Sequence, residues 1–381
     1  MPDALALTLA FGIGFGAAYA LTPLAIAIAG RTEFLDHPRG YKAHPSPTPY
    51  LGGTVVLAGF GLAVLALADD LGRLWPILIG ALALCAVGTL DDRRTVGPTV
   101  RLVVEVVAAL GLFAAGLGWE YLSTDASNLV LTVLFVVGLV NAFNLMDNLD
   151  GATGTVAMVT AAGVGVLALI EGDPPLAVLC FAVAGACAGF LPYNLAGPAR
   201  IFLGDGGSMP LGFIISASIM SLEGGAEIGW VMVLVTVVLV GLPALDTALV
   251  IVSRLRRGVS LYQGGRDHVT HRLLLPLGSA RRVALALGFA QGVLCAVGIS
   301  LYEAQRTEAL AGASACILLG FVALVLLETS PWAPVRQDRS RDQGTVHDPG
   351  PPGAGDEEGP TGADLVPEGF RSKAGLPERS T

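Results

Sequence analysis

The 381-residue chain is short of charge. Asp, Glu, Lys and Arg make up 14% of it, against about 25% in ordinary soluble domains. Apolar residues make up 53% and the mean hydropathy is +0.68. That excludes an ordinary soluble domain and fits an all-α, polytopic membrane helix bundle. Cysteine is scarce as well. All five (Cys85, Cys180, Cys187, Cys295, Cys316) lie in apolar stretches without CxxC spacing, so they read as small core residues with neither disulfide nor metal role. A basic region and a small-residue cleavage site are missing around the first apolar stretch, which therefore reads as an anchor. The net charge of −9 sits in short turns and an acidic tail, and no nucleic-acid partner is suggested. No internal repeat is visible.

Apolar windows of about the length needed to cross a bilayer number eleven: 4–29, 51–68, 74–90, 99–118, 127–146, 152–170, 174–193, 207–222, 228–251, 283–302 and 309–328. Counting Lys and Arg between them predicts an N-terminus outside and a C-terminus in the cytoplasm. On that topology 20 basic residues lie inside and only two, Arg73 and Arg306, outside. Residues 331–381 are rich in Pro, Gly and acidic side chains, too poor in apolar content to fold. The expected organisation is a transmembrane domain over 1–330 and a disordered cytoplasmic tail over 331–381.

The charges that do occur are gathered in the inner loops. The strongest feature is Asn141-Ala-Phe-Asn-Leu-Met-Asp-Asn-Leu-Asp-Gly151, where carboxylates and amides meet the end of an apolar span. Charge at that depth is costly in lipid and marks a functional site. Asn144, Asp147 and Asp150 stand three apart and would share one face of a helical turn. Oxygen ligands of this kind suit Mg²⁺, which takes one or two protein ligands and leaves the rest to water and phosphate; Asp150 could instead cap the next helix. Asp91-Asp92 closes the third window, where carboxylates oppose the helix dipole. Local pairing with Arg93 and Arg94 is one reading, a base or cation site the other. Arg101 and Glu105 read as an i,i+4 pair.

Further on come Pro192-Tyr-Asn194 and Pro198-Ala-Arg-Ile-Phe202-Leu-Gly-Asp205-Gly-Gly-Ser208. Glycines before a helix make an anion-receptive N-terminus, and Asp205 can bridge a metal to that phosphate. Asp246, after Pro243, should face a protein cavity or pair with an Arg of a neighbouring span. The longest loop holds Arg254, Arg256 and Arg257, then Arg266-Asp267-His268-Val-Thr-His271-Arg272. These are donors for a diphosphate; the two histidines lack the further ligands of a zinc site. The first loop offers Lys42 and His44, then Pro49-Tyr-Leu-Gly52-Gly53. It reads either as a Pro/Gly-rich connector or as a phosphate-facing Lys beside glycines that permit close backbone approach.

In this order the loops resemble the polyprenyl-phosphate N-acetylhexosamine-1-phosphate transferase family (glycosyltransferase family 4) over about residues 30–275. The matching pieces are Lys42-x-His44 with Gly52-Gly53; Asp91-Asp92 with Pro98; Asn141-x-x-Asn144-x-x-Asp147-x-x-Asp150-Gly151; Asn194 with Phe202-x-Gly204-Asp205-x-Gly207-Ser208; Pro243-x-x-Asp246-Thr247; and Asp267-His268-x-x-His271-Arg272. The resemblance implies transfer of a sugar-1-phosphate from a UDP-N-acetylhexosamine to polyprenyl phosphate, with release of UMP. It implies Mg²⁺, with Mn²⁺ as a substitute, an active site on the cytoplasmic face of the cell membrane, and compatibility with a homodimer. The Asp246 and His268 motifs place the chain with the N-acetylglucosamine-1-phosphate branch. The muramoyl-pentapeptide branch, the alternative, usually carries a three-histidine run.

On this resemblance Asp205, Asn144 and Asp147 would bind the metal. Asp91, Asp92 and Asp147 would be the catalytic carboxylates, the Asp91-Asp92 pair positioning or deprotonating the acceptor phosphate. Lys42, His44, Asn141, Asp150, Asn194, Phe202, His268, His271 and Arg272 would hold the substrates, Phe202 by stacking on uracil. A single in-line displacement is expected, with a phosphorylated Asp as the two-step alternative. Four positions depart from the family pattern: Asn148 for Gly, tolerated because Asn accepts positive φ; Arg101 and Glu105 for Lys and Gln; Thr270 for His. The rival from another class is a cation-coupled transporter, which predicts inverted repeats and helices broken deep in the membrane.

Overall fold

Backbone placed in hydrocarbon must satisfy its own hydrogen bonds, and a helix does so within one segment. Each apolar window is accordingly helical in the computed structural model, which describes residues 4–37, 47–68, 70–222, 225–261, 265–331 and 333. Lys42, His44 and the tail from 334 lie outside the described residues. The helices are α1 (Ala4–Thr32), α2 (Gly52–Leu67), α3 (Leu71–Arg93), α4 (Pro98–Ala114), α5 (Asp125–Met146), α6 (Ala152–Glu171), α7 (Pro174–Asn194), α8 (Asp205–Met220), α9 (Gly225–Leu239), α10 (Gly241–Arg257), α11 (Val269–Leu277), α12 (Ala280–Tyr302) and α13 (Arg306–Thr329). A two-residue strand, β1 (Leu35–Asp36), pairs antiparallel with β2 (Thr48–Pro49). Among the described residues, seven helices are long and apolar enough to span a membrane by themselves, eight if α9 and α10 form one broken span.

That break departs from the sequence reading, which took 228–251 as one span. The two pieces meet at 65°. Pro243 has no N–H to give to the carbonyl four residues back, Leu239, and prolines kink helices for this reason. Gln291 of α12 supplies the missing donor, its Nε2 lying 2.8 Å from the Leu239 oxygen.

The core is α8, whose residues from Gly206 to Met220 are all buried. Helices α3 and α5 flank it, and α7 packs against α1, α2 and α6. Helix α13 is peripheral, only 6% of its apolar window being buried, and it exposes Leu319, Phe321 and Leu326. In a membrane protein such a face meets lipid. At one end of the bundle Arg73 ties α3 to Asp173 before α7 and to the Ser221 carbonyl after α8. The other end gathers the loop motifs.

Candidate active site

Helix α8 begins where three other helices end or start. Gly204 before it has φ +71. The N–H groups of Asp205 and Gly206 donate to the two oxygens of Asp92, at 3.0 and 3.1 Å. The anion at this helix N-terminus is thus the chain's own Asp92, where the sequence reading expected substrate phosphate. The approach is close. Gly53 donates its N–H to the Leu203 carbonyl at 2.9 Å, and a Cβ there would lie 2.2 Å from the Gly206–Gly207 backbone. No side chain fits at position 53, so its glycine serves contact between loops.

Arg101 of α4 sits among the carboxylates. Its Nη1 lies 2.8 Å from Asp91 and 2.7 Å from Asp205, and its Nη2 lies 3.3 Å from the Asn144 Oδ1. Asn144 donates in turn to Asp205 at 2.8 Å and to Ser208 at 3.0 Å. The expected pairing of Arg101 with Glu105 is not how they bond. Glu105 accepts from Asn141 at 2.6 Å, so both residues tie α4 to other elements. The turn after α5 is not helical: Asp147 is the cap of that helix. Burial, with Asp205 and Asp92 nearby, holds the Asp147 carboxyl well above the usual range. Gly151, at φ +76, starts α6 in place of Asp150. Asn148 does not have a positive φ, so the reason expected for its tolerance does not apply. Its side chain donates instead to the Leu145 carbonyl at 2.8 Å and accepts from the Thr270 hydroxyl.

The second half of this end is built on α10, α11 and α13. Asp246 accepts from His268 Nδ1 at 2.9 Å and from the Val269 N–H at 2.7 Å, fixing the start of α11. Asp246 therefore pairs with His268 and not with an arginine. Asp267 lies against Arg254 and Arg257 at 2.8 and 2.7 Å. Burial opposes its charge, but Arg254 outweighs burial and lowers its pKa. His271 stands beside His268, ring centroids 6.1 Å apart. Burial, then the His268 and Arg266 charges, pushes its pKa down to about 4, so its ring is neutral at ordinary pH. Phe202 lies against Tyr50, centroids 5.9 Å apart. The Tyr50 hydroxyl holds its proton tightly because it is buried and hydrogen-bonds Asp36.

The model of Glycosyl transferase family 4 matches residues 74–223. A decaprenyl-phosphate N-acetylglucosaminephosphotransferase of Mycobacterium leprae (strain TN) is 30% identical over 352 residues, covering 82% of this chain and 86% of the relative. The chain belongs to glycosyl transferase family 4. A probable undecaprenyl-phosphate N-acetylglucosaminyl 1-phosphate transferase of Bacillus subtilis (strain 168) is 29% identical over 288 residues, 73% of this chain and 79% of the relative. An undecaprenyl-phosphate alpha-N-acetylglucosaminyl 1-phosphate transferase of Escherichia coli (strain K12) is 26% identical over 289 residues, 71% and 77% respectively.

In this glycosyl transferase 4 chain, Asp91, Asp92, Asn144, Asp147 and Asp205 come together, and two other expected substrate residues are spent inside the protein. Asn194 accepts the Gly151 N–H at 2.7 Å and donates to the Ile201 carbonyl at 2.9 Å, bracing one loop against the next. Arg272 has no exposed surface. It donates to Glu328 at 2.6 Å and to the Leu327 carbonyl at 2.5 Å, fastening α11 to the end of α13. Sequence reasoning passed over Glu328, although a lone carboxylate ending an apolar helix was signal enough.

The donor set fits Mg²⁺. It consists of oxygen ligands: Asp91 and Asp205 share the Arg101 guanidinium, while burial and the crowding of carboxylates hold Asp92 and Asp147 above the usual range, a repulsion that a cation would relieve. Among the described residues no three His, Cys, Asp or Glu side chains are grouped so as to hold a metal ion by themselves. Mg²⁺ needs no such group, since water and phosphate complete its shell.

Proposed function

We propose that this chain transfers N-acetylglucosamine-1-phosphate from UDP-N-acetylglucosamine to a polyprenyl phosphate, releasing UMP, as the first lipid-linked step of a cell-envelope glycan pathway. The observation that carries the reading is the cluster of Asp91, Asp92, Asn144, Asp147 and Asp205 around the start of α8. The relatives' names for the acceptor and the transferred sugar support it. The reaction is an in-line attack of the polyprenyl phosphate oxygen on the β-phosphorus of the donor. Asp205, Asn144 and Asp147 hold Mg²⁺, which supplies charge neutralisation for the diphosphate and the leaving UMP. A phosphate monoester has its second pKa near 6, so Asp91 acts more by positioning the acceptor than by deprotonating it. Asp92 serves by fixing Asp205. His268, with Nδ1 turned to Asp246, and neutral His271 offer donors to donor phosphate and sugar. Lys42, His44, Asn141 and Asp150 complete substrate contacts, and Phe202 stacks on the base. Arg272 serves by fixing the histidine helix from behind.

We place the eleven windows across the plasma membrane, N-terminus outside and site toward the cytoplasm, on the distribution of 20 basic residues against two. Purified protein with Mg²⁺, polyprenyl phosphate and a panel of radiolabelled UDP-sugars should label lipid from UDP-N-acetylglucosamine; label from no UDP-sugar rejects the function. An impermeant thiol probe on intact cells should label cysteines placed at Ser123 or Gly172. It should reach one at Gly265 only after permeabilisation, and labelling of position 265 in intact cells would reverse the orientation.

A further inference from the structure

The 147–151 turn and the start of α11 carry groups assigned above to the metal and the substrates: Asp147 and Asp150 on the turn, His268 and His271 on the helix. Each side is anchored to its own scaffold. The turn hangs on α5 through Asn148 Nδ2 and the Leu145 carbonyl, and on α7 through Gly151 and Asn194. The start of α11 hangs on α10 through Asp246. Thr270, only 1% exposed, joins the two by giving its hydroxyl proton to Asn148 Oδ1. Its Oγ1 also lies 3.4 Å from His271 Nδ1, so the residue that grips the acidic turn touches the histidine ring as well. A buried hydroxyl meeting a half-buried amide fixes separation, because Thr270 loses a partner that water does not readily replace if the two move apart.

We propose that Asn148 and Thr270 are a positioning pair that sets the distance between the acidic turn and the histidine helix, and through it the fit of the donor diphosphate and sugar. The inference rests on the function proposed above. Neither residue is a catalytic residue; both act through Asp147 and His271. Loss of the pair should loosen donor binding while leaving the chemical step in place.

The test is a double-mutant cycle on purified protein with saturating polyprenyl phosphate, varying UDP-N-acetylglucosamine. Asn148→Ala and Thr270→Val should each raise donor KM about tenfold and keep kcat within about threefold, one decade being about 1.4 kcal/mol. The double variant should match either single one, since one partner's loss already opens the pair. Thr270→Ser keeps the hydroxyl and should stay near wild type. Multiplied KM losses in the double variant, a fall in kcat at unchanged KM, or a Thr270→Ser as impaired as Thr270→Val would overturn the pair. Should wild type transfer from no UDP-sugar, the proposed function fails, and the pair is judged on thermal unfolding in detergent. There the double variant should again lose no more than the larger single loss, and additive losses would overturn it.

Discussion

Two halves of one end of this molecule carry charge in opposite ways. Around the start of α8 four carboxylates gather, and among the described residues only Asp91 and Asp205 meet a guanidinium, that of Arg101. Around α11, each of four arginines already meets a carboxylate of the chain, two guanidiniums to one carboxylate: Arg254 and Arg257 with Asp267, Arg256 and Arg272 with Glu328. Removing one partner of a buried pair leaves an uncompensated charge and is strongly destabilising, so the matched half is framework. The unmatched half has carboxylates left for something from outside, the place that the proposed function gives to a divalent cation with phosphate. Motifs equally charged in sequence thus divide by which groups already meet an opposite charge: Arg254, Arg256, Arg257 and Arg272 each do, and Asp92 and Asp147 meet no guanidinium among the described residues.

The largest expected effect lies in the unmatched half. Asp205→Asn should fold in detergent yet lose more than a hundredfold in Mg²⁺-dependent transfer, because a metal ligand contributes several kcal/mol at a phosphoryl-transfer site. Retention of over a tenth of wild-type kcat would remove Asp205 from the metal site. In the matched half the expected loss is of stability. Arg272→Met strips Glu328 of one partner and should cost about 3–5 kcal/mol, read as a fall in the unfolding midpoint that Glu328→Gln partly restores. An Arg272→Met protein as stable as wild type but with raised donor KM would return Arg272 to the substrate.

His271 sharpens the comparison through pH. With its folded pKa near 4, against 6.5 for the ordinary ring, the folded chain binds the proton less readily than the unfolded one. Stability contributed by the neutral ring is therefore complete above about pH 6.5 and declines as pH falls toward 4. His271→Gln removes that slope, and its midpoint should gain on wild type by about 2 °C between pH 6.5 and 5. A gap that does not change with pH would mean that folding leaves the ring's pKa at its ordinary value. The smallest effect concerns the tail. Truncation after Trp332 leaves Glu328 in place and should keep activity within about threefold, roughly 0.7 kcal/mol; truncation after Val325 should resemble Arg272→Met. A hundredfold loss from the shorter deletion, with protein inserted and monodisperse, would bring the tail into the site.

Much of this was legible because it is local. Apolar windows become helices wherever backbone must satisfy itself in lipid, and Asp91, Asp147 and Asp205 stand out because charge is rare near such spans. What escaped the sequence depends on partners far along the chain. Pro243 signals a kink, but nothing near it reveals that Gln291 would take the freed Leu239 carbonyl. Arg101 has Glu105 one turn away yet bonds Asp91, Asp205 and Asn144. Asn194 and Arg272 carry the polar groups expected of substrate residues, and only three-dimensional proximity shows those groups already in use. Asn148 is told apart from a glycine surrogate by a φ that is not positive and by Thr270, 122 residues on.

The clasp between Arg272 and Glu328 also bears on how the molecule is made. A chain entering a membrane from its N-terminus presents the carboxylate loops, then the histidine helix, and only afterwards α13. Until Glu328 arrives, Arg272 has nothing in the finished fold to meet but carbonyls, and an unmatched guanidinium does not settle into a buried place. The histidine side of the site is therefore completed last, by the most lipid-exposed helix of the bundle. A ribosome that stops short of Glu328 leaves every residue assigned to the site in the chain, and Arg272 without its carboxylate.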